Sequence, residues 1–162
     1  MLRIFLALML VASSPLANCE ELDPFFSEAR NASAAALGQT NFVVGRMALE
    51  CHQQLQRPES WVKEFVVAWQ KRNGKYYNAT RAYMITLLKE TERIKGKEAS
   101  ALVAGNYSSA VRRDGEGAVA GFFKKGQRLE VCTRVTGLIE EGAFDVTPAH
   151  PFFAELQELA RE

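Results

Sequence analysis

Apolar side chains recur along this chain with the period of an α-helix, not that of a strand. Val44, Met47, Ala48, Cys51 and Leu55 fall at i, i+3, i+4, i+7 and i+11, a spacing that stacks them on one helical face. Leu22, Phe25, Phe26, Ala29, Ala32, Ala36 and Leu37 form a similar stripe in an alanine-rich stretch. It predicts a helix over 22–37, with Asp23 as N-cap and Pro24 accommodated in the first turn. Gly38-Gln39-Thr40-Asn41 is expected to interrupt or kink this run before a second helix continues through Leu55. That helix should stop ahead of Pro58, because the residue before a proline is pushed out of the α region.

Trp61, Phe65, Ala68 and Trp69, widened by Val62 and Val66, predict the next helix, capped by Ser60 and ended near Arg72 by Asn73-Gly74. Asn78 reads as the cap of a helix from Ala79 to about Lys95, with Tyr83, Leu87, Glu90 and Ile94 on one line and Gly96 as its stop. Between Lys97 and Lys125 the pattern is broken by Gly105-Asn106 and Asp114-Gly115, so short helical pieces are expected there. A β-hairpin pairing 118–123 with 128–135 across Lys124-Lys125-Gly126-Gln127 is the alternative. A helix pair is preferred, because Leu129, Cys132, Val135 or Thr136, and Ile139 keep helical spacing up to Glu141-Gly142. Phe152, Phe153, Leu156 and Leu159 mark a last helix starting at Pro151. The sum is an all-α, single-domain bundle of five to seven helices over residues 20–162, with no internal repeat and no low-complexity linker.

The first residues read differently. Met1-Leu2-Arg3, nine apolar residues from Ile4 to Ala12, and the small, turn-forming Ser13–Cys19 have the layout of a cleaved secretory signal peptide over 1–19. The apolar run is far short of the roughly 20 residues that span a bilayer, so no transmembrane segment is expected. Ala17 and Cys19 suit cleavage before Glu20. Leu16-Ala17-Asn18-Cys19 also outlines a bacterial lipoprotein box, which makes a lipid anchor at Cys19 the lesser alternative, since Asn18 is bulkier than the residue usually found there. The expected location is periplasmic or secreted.

Either route leaves two cysteines, Cys51 and Cys132, and in an oxidising compartment these are expected to form one disulfide. Composition adds an exclusion. The chain carries 20 Lys plus Arg against 19 Asp plus Glu, and Arg3 is the only charge in the signal, so the mature balance is near zero. That favours neither nucleic acid nor an anionic membrane as partner.

No catalytic or cofactor motif stands out. Cys51, His52, Cys132 and His150 would number four zinc ligands, but their spacing matches no structural zinc site. Gly115, Gly117 and Gly121 before Lys124-Lys125 fit no phosphate-loop fingerprint. Acid–base chemistry would have to draw on Glu50, beside Cys51, or Glu64, between the tryptophans. Three sequons occur, at Asn31, Asn78 and Asn106. The densest set of recognition-type residues is Trp69, Lys71, Arg72, Lys75, Tyr76, Tyr77, Arg81 and Tyr83, because Tyr, Trp and Arg dominate binding hot spots. The expectation is therefore an exported helical protein that acts by protein–protein contact, of the envelope inhibitor, immunity or accessory kind, without cofactor or metal. A small-molecule or glycan-binding module and a cell-wall hydrolase are the alternatives.

Overall fold

Ser27 sets the start of the first helix: its hydroxyl accepts the Arg30 backbone N–H at 3.2 Å, and α1 (Glu28–Cys51) follows directly. The structure, a computed structural model, describes residues 25–162, so the signal peptide, Cys19 and the Asp23-Pro24 cap expected from the sequence lie outside the described residues. Phe25 and Phe26 precede the helix, not open it, and their rings stand 5.5 and 5.8 Å from that of Tyr83.

Five more helices complete the described chain: α2 (Glu59–Arg72), α3 (Gly74–Lys95), α4 (Lys97–Phe123), α5 (Arg128–Glu140) and α6 (Phe153–Leu159). No strand occurs among the described residues, and the hairpin alternative over 118–135 is replaced by the end of α4 and the start of α5. No helix there is long and apolar enough to cross a membrane.

α1 is the spine. Its buried stripe, Leu37, Val43, Val44, Met47, Ala48 and Cys51, meets Phe65 and Trp69 from α2, Val119 from α4, Val131, Cys132, Val135 and Ile139 from α5, and Leu156 from α6. A smaller cluster of Ala34, Tyr83, Leu87 and Leu159 closes the other end. Cys51 and Cys132, both fully buried, are bonded to each other and fasten the end of α1 to α5.

Partner order along the helices gives their directions. Gln70 meets Asn41, Val66 faces Gly45 and Tyr83 meets Asn31, so α2 and α3 together run antiparallel to α1. Tyr107 reaches Ala34 and Gly38, while Arg46 reaches Glu116, so α4 runs parallel to α1. α2 and α3 meet end to end at Asn73, which is buried with its side chain fully used. Its Nδ2 donates to Trp69 O at 3.0 Å and Asp145 Oδ1 at 2.9 Å, and its Oδ1 accepts the Val146 N–H at 2.8 Å. This joint starts α3 at Gly74, so Asn78 lies inside a helix instead of capping one. α2 likewise begins after Pro58, two residues earlier than a Ser60 cap would place it.

The largest difference from the sequence pattern concerns glycine. α1 runs unbroken through Gly38, and α4 is a single helix through Gly105, Gly115, Gly117 and Gly121. Two of these glycines accept an aromatic ring from the other helix. A Cβ on Gly38 would lie 2.4 Å from the Tyr107 hydroxyl, and one on Gly115 would lie 2.4 Å from Cδ1 of Phe42. Each helix therefore supplies one glycine and one ring to the other, and this close approach outweighs the roughly 1 kcal/mol that glycine costs inside a helix.

The same geometry separates the α4 glycines by expected effect. Nothing lies within 4 Å of a Cβ added at Gly117. Gly117→Ala is expected to raise unfolding stability by about 0.5–1 kcal/mol. Gly115→Ala must displace the Phe42 ring and is expected to lower it by about 1–3 kcal/mol. Urea denaturation of the two variants measures both, and a shared sign would contradict the reciprocal packing of α1 and α4.

Candidate functional site

The eight residues singled out by composition divide by depth. Trp69 is fully buried, its indole N–H donating to Phe144 O at 3.2 Å. Tyr83 is buried as well, with its hydroxyl donating to Asn31 Oδ1 at 2.8 Å, and burial pushes its phenol pKa above the usual value. Both serve the core. Arg72 is spent on the loop after α5: its Nε pairs with Asp145 at 2.9 Å and its Nη2 donates to Ile139 O at 2.6 Å. Tyr76 is half-buried against Phe153, with ring centroids 6.2 Å apart. Lys71, Lys75 and Arg81 are exposed, and Tyr77 is half-buried.

Lys75 and Tyr83 border a depression of about 420 Å³ with Phe25 and Leu159, and Arg72 a small one of about 210 Å³. Tyr77 and Arg81 border a different concave surface, between α1, α3 and α4. It holds about 400 Å³ and is partly open to solvent. Asn41 and Phe42 come from α1, Tyr77, Arg81, Met84, Ile85 and Leu88 from α3, and Tyr107 and Val111 from α4. Two neighbouring depressions share Phe42: one of about 450 Å³ towards Arg46, Leu49 and Val66, and one of about 480 Å³ along α4. Together they form a groove with Phe42 at its centre.

The groove has a polar end that is already organised. Gln70 Nε2 donates to Asn41 Oδ1 at 2.9 Å and to the Tyr77 hydroxyl at 3.3 Å, tying three helices together. The Tyr107 hydroxyl donates to Ala34 O at 3.3 Å, and burial raises its pKa, keeping the phenol a donor. Its lining is mostly apolar, and Leu49 and Ile85 at its edges are 49% and 45% exposed, as Val67, Leu102 and Leu129 are elsewhere on the surface. Arg81 and Arg112 stand at the rim, and among the described residues neither makes an ion pair.

The other candidate chemistries are placed apart. Cys51 and Cys132 are consumed by their disulfide, and no group of three or more His, Cys, Asp or Glu suited to a metal occurs among the described residues. His52 Nδ1 lies 2.8 Å from Leu49 O, whereas His150 Nδ1 accepts the Phe152 N–H at 3.2 Å and burial lowers its pKa. Glu50 is engaged at both oxygens, by Arg46 at 3.1 Å and by Arg128, which ties α1 to α5. Glu64 is exposed beside a small depression of about 210 Å³ that also borders Trp61 and Glu140. Of the sequons, Asn78 and Asn106 are exposed on α3 and α4, while the Asn31 side chain is occupied by Tyr83.

Phe42, Tyr107, Val111 and Arg112 were not singled out by the sequence pattern. Tyr107, Val111 and Gly115 are spaced i, i+4, i+8, a helical line hidden as long as 97–125 is read in pieces. No family model, curated protein or solved structure matches the chain, so the groove's chemistry has to carry the functional reading.

Proposed function

We propose that this is an exported helical protein of the envelope inhibitor, immunity or accessory kind, acting by protein–protein contact through the groove between α1, α3 and α4. The observation that supports the reading most is the character of that groove: solvent-accessible, mostly apolar in its lining, edged by exposed Leu49 and Ile85 and rimmed by two arginines that form no ion pair among the described residues. Interface centres combine aromatic and arginine anchors with apolar walls in this way. A buried disulfide agrees with export into an oxidising compartment. The hydrolase alternative gains no support from Glu50, held between two arginines, or from Glu64 on an exposed helix face.

The test is a photo-reactive phenylalanine analogue placed at Ile85, in the groove, and at Leu129, a somewhat more open position on α5, in the protein expressed in its own compartment. A discrete protein adduct at position 85 and none at 129 is the expected result. Adducts of the same protein at both positions would remove the groove from the reading. A co-purifying glycan or metabolite, with no protein adduct at 85, would favour the small-ligand alternative.

A further inference from the structure

Building on the protein-contact reading, we propose that the segment this groove receives is an acidic amphipathic α-helix, with an apolar ridge seated over Phe42 and carboxylates reaching Arg81 on one wall and Arg112 on the other. The charges around the groove carry the argument. Arg46 is compensated within the chain, lying 3.1 Å from Glu50 and 3.6 Å from Glu116. Arg113 and Asp114, on the same stretch of α4, neutralise each other at 2.8 Å. Arg81 on α3 and Arg112 on α4 form no ion pair among the described residues, Glu116, one turn on from Arg112, being turned to Arg46 at 3.6 Å, so the groove carries a local cationic surplus in a chain of formal net charge +1. A second copy of this chain docked groove to groove would bring the same two cations against them, and like charges brought together across an interface are repelled. A basic segment meets the same repulsion. An acidic one meets complementary charge, and guanidinium–carboxylate bonds are among the stronger polar contacts.

The backbone of the occupant follows from the walls. All three are helices, and no strand edge exists among the described residues to pair with an extended peptide. An extended segment would lose the hydration of its own N–H and C=O groups without gaining partners for them. A helix satisfies those groups internally and offers side chains at i, i+3, i+4 and i+7 to the apolar walls of Phe42, Ile85, Leu88 and Val111.

Three synthetic helical peptides test this, each with the same leucine ridge and with flanking positions all Glu, all Gln or all Lys. Each is titrated by fluorescence anisotropy against the full-length, disulfide-bonded mature protein. The Glu peptide is expected to bind at least about tenfold tighter than the Gln peptide, with an advantage that shrinks as salt is raised, and the Lys peptide weakest of all. In the variant carrying R81E and R112E the order should reverse. Both arginines are exposed and make no ion pair among the described residues, so this variant is expected to keep the wild-type melting temperature, with R81Q/R112Q as a milder second version that abolishes the preference without reversing it. Equal binding of the Glu and Gln peptides, no binding of any peptide, or an unchanged order in both variants would overturn the proposal. A protein adduct at position 85 together with charge-indifferent peptide binding would keep the contact reading and discard the acidic helix.

Discussion

Replacing Cys51 and Cys132 together with alanine is expected to lower the unfolding free energy by about 4–5 kcal/mol. The bond closes a loop across a sequence separation of 81 residues, so its main effect is to restrict the unfolded chain, and that restriction grows with loop length. Both residues are fully buried, one at the end of the spine helix α1 and one on α5, so truncation to alanine also leaves the shared core less well packed. Domains of this size are commonly stable by about 5–15 kcal/mol, which places the double variant close to the limit of folding. Urea denaturation of the oxidised wild type against the double variant gives the difference directly. Once the segment 1–19 that carries Cys19 is removed, the oxidised protein should offer no alkylatable thiol and should gain the mass of two hydrogen atoms on reduction. A loss below about 1 kcal/mol would mean that the helices hold this end of the molecule without the staple.

The cysteine pairing and the helices around it were legible because their signal is local and periodic. The stripe at Val44, Met47, Ala48 and Cys51 is buried as its spacing implies, and so are Phe65 and Trp69 on α2 and Cys132, Val135 and Ile139 on α5. What the sequence pattern misplaced were interruptions. Gly38 and the α4 glycines resemble breakers because a glycine's cost inside a helix is a local quantity, whereas the benefit arises between helices. Gly38 makes room for Tyr107 and Gly115 for Phe42, partners 69 and 73 positions away along the chain, and no window of ten or fifteen residues contains both halves of such a pair. The stops at Asn73 and Gly96 fall where expected, whereas the N-caps at Ser60 and Asn78 do not, for a related reason. Ser27 and Asn73 hold helix ends through particular hydrogen bonds, while Asn78, with the same side chain as Asn73, simply rides on the exposed surface of α3.

The candidate site was half legible by the same logic. Composition found Tyr77 and Arg81, which border the groove, together with Trp69, Arg72 and Tyr83, whose polar atoms are bound inside the fold. A crowd of aromatic and basic residues marks where such side chains are dense along the chain. It does not say which are already satisfied by distant partners, and here Phe144, Ile139 and Asn31 are those partners. The opposite wall, from Phe42 on α1 and Tyr107 and Val111 on α4, appears only when α1 and α4 are laid parallel.

Trp69→Ala is expected to cost about 3–5 kcal/mol, nearly as much as the disulfide, and by a different route. The indole is fully buried where α1, α2 and α5 converge, so its removal empties the largest side-chain volume in the core. It also takes away the hydrogen bond to Phe144 O at 3.2 Å, one of the ties that hold the loop after α5 to the joint between α2 and α3. The remaining ties, from Asn73 to Asp145 and Val146 and from Arg72 to Asp145, depend on the same end of α2. Trp69→Phe keeps much of the apolar contact while deleting the indole donor, and should therefore cost less, with about 1 kcal/mol of its loss from the hydrogen bond itself. Hydrogen exchange separates the two effects. Trp69→Ala should speed exchange at the amides of Val131 to Ile139 and at Val146, whereas Trp69→Phe should speed it chiefly at Val146. A Trp69→Ala variant within about 1 kcal/mol of wild type would show that the joint is held by Asn73 and Arg72 alone. Because the two variants differ in volume and share the lost donor, their comparison assigns the joint's rigidity either to packing or to the polar ties. That rigidity fixes the direction in which α3 leaves Asn73, and with it the position of Tyr77 and Arg81 at the groove.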